Sequence, residues 1–138
     1  EARAQREGLA NVHFAPARPK GDMPEVLGAA DVGLHVLADV GLFTYGVSPN
    51  KVFDYLAAGR PCLTNNPGDV GRLVTDAGAG VAVAPGAIAD GVRALAAAGP
   101  DGRAAMGERG RALIEREYAI APRVERLLVA LRSAGVDA

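Results

Sequence analysis

Four short apolar runs constrain this chain most: "NVHFA" (11–15), "DVGLHVLA" (31–38), "PCLTN" (61–65) and "GVAVAP" (80–85). None alternates cleanly between polar and apolar residues, as a strand with one wet face would. Each is too short for a helix and is bounded by Gly, Pro, Asn or Asp. Helix-like segments alternate with them up to residue 85. Strands that are apolar on both sides, joined through helices, are the signature of a parallel sheet covered on both faces. The expected fold class is therefore α/β.

The helical segments are punctuated as clearly. Residues 1–9 read as a surface helix stopped by Gly8. Asp22 is placed to cap a helix running to Ala30, with Met23, Val26, Leu27 and Ala30 on one face. A third helix is expected over residues 49–58, stopped by Gly59, and a fourth over residues 69–76 with Asp69 as its cap. Residues 86–133 read as two or three helices, broken at "AGPDG" (98–102) and "AIAP" (119–122). With 138 residues the chain fits one domain. Only 4% of its residues are aromatic against 49% apolar, so closely packed Ala, Val and Leu must form the core.

Composition also removes function classes. A formal net charge of −1 offers no general attraction to nucleic acid or anionic lipid. The single cysteine, Cys62, excludes an internal disulfide and a cysteine metal cluster, and it fits a reducing compartment. No apolar run is long enough to span a bilayer. His13 and His35 each sit inside an expected strand with no acid beside them, and read as buried structural histidines.

In open α/β sheets, ligands bind beyond the carboxyl ends of the strands. That directs attention to loops 16–21, 38–48 and 65–69, and to the helix after the second loop, "SPNKVFDYLAAG". Ser48 can cap it and Pro49 fills a position whose N–H needs no partner. Lys51 then stands in the first turn, where the helix dipole disfavours a cation by about 0.3–1 kcal/mol. Two readings are open. Lys51 pairs with Asp54 or points into water, or Lys51 and the helix terminus together hold an anion such as a phosphate. Asp54, one turn on, can accept from the two hydroxyls of a ribose. Together the pair suggests a nucleoside diphosphate.

"AADVGLHVLA" followed by "YGVSPNKVFDYLAAGRPCLTNNPGDVGRLVTDAGAGVAVAP" resembles the carboxyl-terminal, donor-binding half of GT-B glycosyltransferases, which are built from two facing Rossmann-like domains. Within them it looks most like the large retaining family 4, in a bacterial surface-sugar branch. The resemblance implies a Rossmann-like parallel sheet with helices on both faces, here incomplete. It implies that residues 1–138 are one nucleotide-sugar-binding domain of a larger enzyme, preceded by two further βα units and a separate amino-terminal domain. With a strand order of 3-2-1-4-5-6, strand 11–15 would lie at one edge, separated from strand 32–37 by two absent strands.

The resemblance also assigns residues. Asp54 stands at the acid that binds the ribose hydroxyls. Ser48, Asn50 and Lys51 stand beside the donor's diphosphate and sugar, and Pro16, Ala17 and Arg18 in the turn that contacts the base. Apart from the resemblance, Tyr45 and Phe43 are loop aromatics with two open readings, lining the sugar pocket or anchoring their own loop. Gly46 occupies the place of the family's glutamate, eight positions before the ribose acid, so that carboxylate's contact with the donor sugar is lost. Asp54 itself replaces the more usual Glu.

The implied activity is transfer of a hexose-type sugar from a nucleoside-diphosphate donor to an acceptor saccharide, lipid-linked glycan or small molecule, in polysaccharide biosynthesis. It implies no metal or other cofactor, a cytoplasmic location that extends to the inner membrane face, and no activity of this chain alone. No catalytic base is apparent. A nucleotide-sugar 2-epimerase or a non-enzymatic Rossmann-like binding domain are the alternatives.

Overall fold

The computed structural model describes residues 1–44 and 50–135. Three strands, β1 (Gly33–His35), β2 (Cys62–Thr64) and β3 (Gly80–Ala82), form one parallel sheet in the order β1-β2-β3. Gly33 pairs with Cys62 and Cys62 with Gly80, so the three carboxyl ends lie level. Each strand occupies only the centre of its apolar run.

Helices α1 (Ala2–Arg6) and α2 (Met23–Gly28) precede the sheet. Helix α3 (Asn50–Ala57) joins β1 to β2, and α4 (Asp69–Asp76) joins β2 to β3. The chain ends in α5 (Ile88–Ala97), α6 (Gly99–Leu113), a π-helical turn (Ile114–Tyr118) and α7 (Ile120–Ser133).

Alternation along β2 sorts the layers. Cys62 joins Val52 and Leu56 of α3, Val70 and Val74 of α4, and Ala79 in one buried cluster, so both connecting helices cover the same face. Leu63 points the other way, and a Cβ added at Gly91 of α5 would run into it. Helices on both faces follow, as the sequence requires. On β1 that second face is less covered: Leu34 and Val36 are half exposed, while Gly33 and His35 are buried beneath α3.

Helix α3 is held at two points. A Cβ at Gly33 would enter the Tyr55 ring, and the Tyr55 hydroxyl donates to the Leu34 carbonyl at 3.2 Å. Gly59, at φ +69°, ends the helix in a conformation that a side chain would strain. Helix α6 keeps Gly107, Gly110 and Leu113 inward and Glu108, Arg109 and Arg111 outward, as its helical charge spacing implies, while Arg103 is largely covered and donates to the Leu95 carbonyl.

Some expectations fail. Residues 11–15 form no strand: Val12 and Phe14 are 42% and 56% exposed and His13 is exposed, so His13 is not a core histidine. An apolar run becomes a strand only where a neighbour supplies its hydrogen bonds, and β1 pairs with β2 alone among the described residues. Asp22 precedes α2 but makes no side-chain cap bond. The residue before α4 is Gly68, and Asp69 is instead its first helical residue, paired with Arg72. "AGPDG" is not a long break: Gly99 turns at φ +68° and Pro100 already lies in the first turn of α6.

Leu56 is fully buried between α3 and the sheet, whereas Leu127 on α7 is 58% exposed. Leu56→Ala should lower unfolding free energy by about 2–5 kcal/mol, and Leu127→Ala should stay within about 0.5 kcal/mol of wild type. Urea denaturation of both variants checks the assignment of the core.

Candidate functional site

Residues just beyond the carboxyl ends of β1 and β2 form a chain of polar contacts. Asn65 donates from Nδ2 to the Leu37 carbonyl and accepts from the Leu37 N–H, both at 2.8 Å. Its amide thereby splices loop 36–44 to the end of β2 as a neighbouring strand would. Asn66 donates from Nδ2 to the Phe43 carbonyl at 3.0 Å and accepts from the Gly68 N–H at 2.8 Å. The same side chain thus fixes both the far end of that loop and the start of α4.

Beneath them, Thr64 Oγ1 accepts from the Asn66 N–H at 3.1 Å and lies 3.1 Å from His35 Nδ1. Thr64, Asn65, Asn66 and His35 are all buried. Buried polar groups are stable only when paired, so this network ties the loops firmly to the sheet. It was not legible in the sequence, where Asn65 closes the apolar run "PCLTN" and "NPGD" reads as an ordinary polar turn.

Lys51 and Asp54 are exposed, one turn apart on α3, while Val52 and Leu56 face the core. Among the described residues, ion pairs with this spacing join Asp69 to Arg72 and Asp90 to Arg93, and none joins Lys51 to Asp54. The reading in which Lys51 is simply neutralised by Asp54 is therefore not realised. Its charge acts instead on His35. Burial, and then the nearby Lys51 ammonium, push the His35 pKa below its ordinary value, so the imidazole is neutral.

Asp54 faces a separate cleft of about 520 Å³ between α2 and α3, shared with Lys20, Met23, Leu27, Arg60 and Arg111. The Arg60 guanidinium reaches the Gly28 carbonyl and ties the end of α2 to this cleft. Asn50 opens α3 and is exposed. Pro16, Ala17 and Arg18 lie in an exposed segment that makes no hydrogen bond or ion pair with α3. Tyr45, Gly46 and Ser48 lie outside the described residues, and with them the expected serine cap.

A cavity of about 540 Å³ lies elsewhere, between α4 and the π-helical turn, lined by Asp69, Leu73, Arg109 and Tyr118. Cys62 is buried with its thiol pushed up to about 12 by desolvation, so it is a core residue and not a nucleophile. Among the described residues no group of three or more His, Cys, Asp or Glu is arranged to hold a metal ion. No helix among them is long and apolar enough to cross a membrane.

Level strand ends, a short loop held by buried asparagines and a lysine at the start of the next helix are now in view. Against known protein families, the model described as "Glycosyl transferase-like" matches residues 3–129. The chain belongs to this glycosyl transferase-like family. Searches of curated proteins and of solved structures found no significant match. Membership makes sugar transfer the general activity, and a sugar donor and an acceptor the general partners. The match covers the sheet, α3 and α4 together, so the strand-end region belongs to the glycosyl transferase-like domain itself.

The state of His35 gives a pH prediction. Its folded pKa lies below the unfolded value of about 6.5. Between the two values the unfolded chain binds more protons, so stability is full above about pH 6.5 and falls as pH drops towards the folded pKa. Denaturant titrations between pH 7.5 and 5 should show this loss, and His35→Asn should flatten it. An equal pH slope in both proteins would remove His35 as its source.

Proposed function

We propose that this chain is the donor-binding part of a GT-B, family 4-like glycosyltransferase that uses a nucleoside-diphosphate sugar. The observation that carries the reading is Lys51. It is a cation in the first turn of α3, without a carboxylate partner among the described residues, in a domain of the glycosyl transferase-like family.

An eight-residue helix presents unpaired N–H groups at its start, and the lysine adds a full charge to their partial one. A diphosphate bound there would meet both. During transfer the bond between the sugar's anomeric carbon and the diphosphate oxygen breaks, and its electron pair leaves with the nucleoside diphosphate. Lys51 and the helix start would stabilise that growing charge. The acceptor hydroxyl forms the new bond and releases its proton. No residue is assigned as base.

Asp54 would then accept from the ribose hydroxyls in the cleft between α2 and α3. Asn50, Ser48, Gly46 and Tyr45 would border the sugar, and Pro16, Ala17 and Arg18 the base. A second, acceptor-side domain would complete the enzyme. Its place would be polysaccharide biosynthesis, with a hexosyl donor, in the cytoplasm at the inner membrane face, without a metal or other cofactor.

The two roles separate experimentally. Calorimetric titration of the full-length protein with UDP, GDP, ADP and pyrophosphate should identify a nucleoside diphosphate that binds. Lys51→Ala should weaken that ligand and pyrophosphate alike, by about tenfold or more, the worth of a charged hydrogen bond. Asp54→Asn should weaken the nucleoside diphosphate alone. Unchanged affinities in Lys51→Ala would sink the phosphate role.

A further inference from the structure

His35 is a core histidine by its burial, at 6% exposed, yet among the described residues only one of its two ring nitrogens has a partner. The hydrogen bonds around it decide which nitrogen carries the proton. Thr64 Oγ1 already accepts the Asn66 N–H. Thr64 is fully buried, and its one hydroxyl proton has no acceptor among the described residues other than His35 Nδ1.

If Nδ1 carried the ring proton, two N–H groups would converge on one oxygen and the hydroxyl proton would be stranded in the core. The consistent arrangement has the Thr64 hydroxyl donating to Nδ1, and the neutral ring carrying its proton on Nε2. That Nε2–H has no hydrogen-bond partner among the described residues. It is not sealed either: among them, the unpartnered side-chain polar atom wholly shut off from solvent is Arg60 Nε. On a residue nine-tenths buried, oriented from behind by Thr64 and closing β1 at the carboxyl edge from which the chain runs to Lys51 and α3, it is a donor without an acceptor among the described residues.

We propose that His35 is a binding residue of the donor site, its Nε2–H donating to a phosphate oxygen of the diphosphate held at Lys51. This rests on the nucleoside-diphosphate reading above and adds a third donor to Lys51 and the start of α3. An uncharged imidazole suits the position. It can share an anion with Lys51 without adding a second cation beside the first when the site is empty. Thr64 and Asn66 become positioning residues, since they fix the ring that makes the contact while Asn66 also holds loop 36–44.

Two substitutions divide the ring's functions. His35→Asn places an amide near the Nδ1 position, where it can still meet Thr64, and removes the distal donor. His35→Gln places its amide near the Nε2 position. In calorimetric titrations of the full-length protein with pyrophosphate, and with whichever of UDP, GDP or ADP binds, His35→Asn should bind about tenfold or more weakly. His35→Gln should stay within about threefold of wild type.

Wild-type affinity in His35→Asn overturns the proposal, and so do equal losses in both variants, which would point to packing. Should the variants fail to fold, the wild-type protein with nitrogen-labelled histidine gives a direct readout. Saturating pyrophosphate should shift the His35 Nε2 resonance, and an unmoved resonance overturns the contact. The two readings fail differently. If the wild-type protein binds neither pyrophosphate nor any of the three nucleotides, the donor reading falls and takes His35 with it. If Lys51→Ala loses binding and His35→Asn does not, only the His35 contact falls.

Discussion

Strand β2 is the member on which the rest of the structure depends. Cys62, Leu63 and Thr64 are each fully buried, because the strand has a neighbour on both edges and helices on both faces. Its three side chains divide three tasks. Cys62 seats the α3 and α4 core, Leu63 seats α5, and Thr64 carries the only hydroxyl of the strand into contact with His35. A buried hydroxyl must be paired, so the last residue of the central strand dictates the arrangement around it.

From there the polar order spreads outward. Asn65 and Asn66 continue β2 past the end of its ladder, using side-chain amides where backbone pairing has stopped. Loop 36–44 is thus anchored at Leu37 and at Phe43, and the start of α4 at Gly68. The far end of that loop and the start of α4 are positioned by the same side chain, that of Asn66. A parallel sheet leaves its connections at one edge, and a binding region there needs rigid loops. Here the rigidity comes from buried asparagines rather than from a large apolar cover, in keeping with a chain so poor in aromatic residues.

Much of this was legible in the sequence because Gly and Pro mark boundaries. Residues 69–76 were read as helical and form α4, although Asp69, expected as its cap, is its first residue; residues 49–58 bracket α3, since Gly59 takes at little cost the left-handed turn that ends it. Lys51 could be placed in a first turn from the same punctuation. Residues 11–15 were misread because a strand needs a partner, and apolar content says nothing of whether the neighbour is there. The asparagines were missed because a buried Asn and a wet one look alike until the fold has closed over them. His35 was read correctly as buried, yet the feature that matters, one nitrogen used and one not, exists only once Thr64 and Asn66 are beside it.

Helix α3 and β1 therefore meet through unlike surfaces. At Gly33 the contact is steric, with Tyr55 lying where a Cβ would be; two residues on, at His35, burial first and the Lys51 ammonium second favour the neutral imidazole. The contact at Gly33 fixes the helix against the sheet, and that at His35 involves two groups, the Lys51 ammonium and the His35 Nε2–H, that have no acceptor among the described residues. Lys51 is exposed and its ammonium is hydrated, whereas a largely buried imidazole N–H loses a hydrogen bond unless water or a ligand supplies one. An anion bound at this edge of the glycosyl transferase-like domain, as proposed above, would accept from both. It would also explain why the lysine occupies a helix start that would otherwise favour an acid.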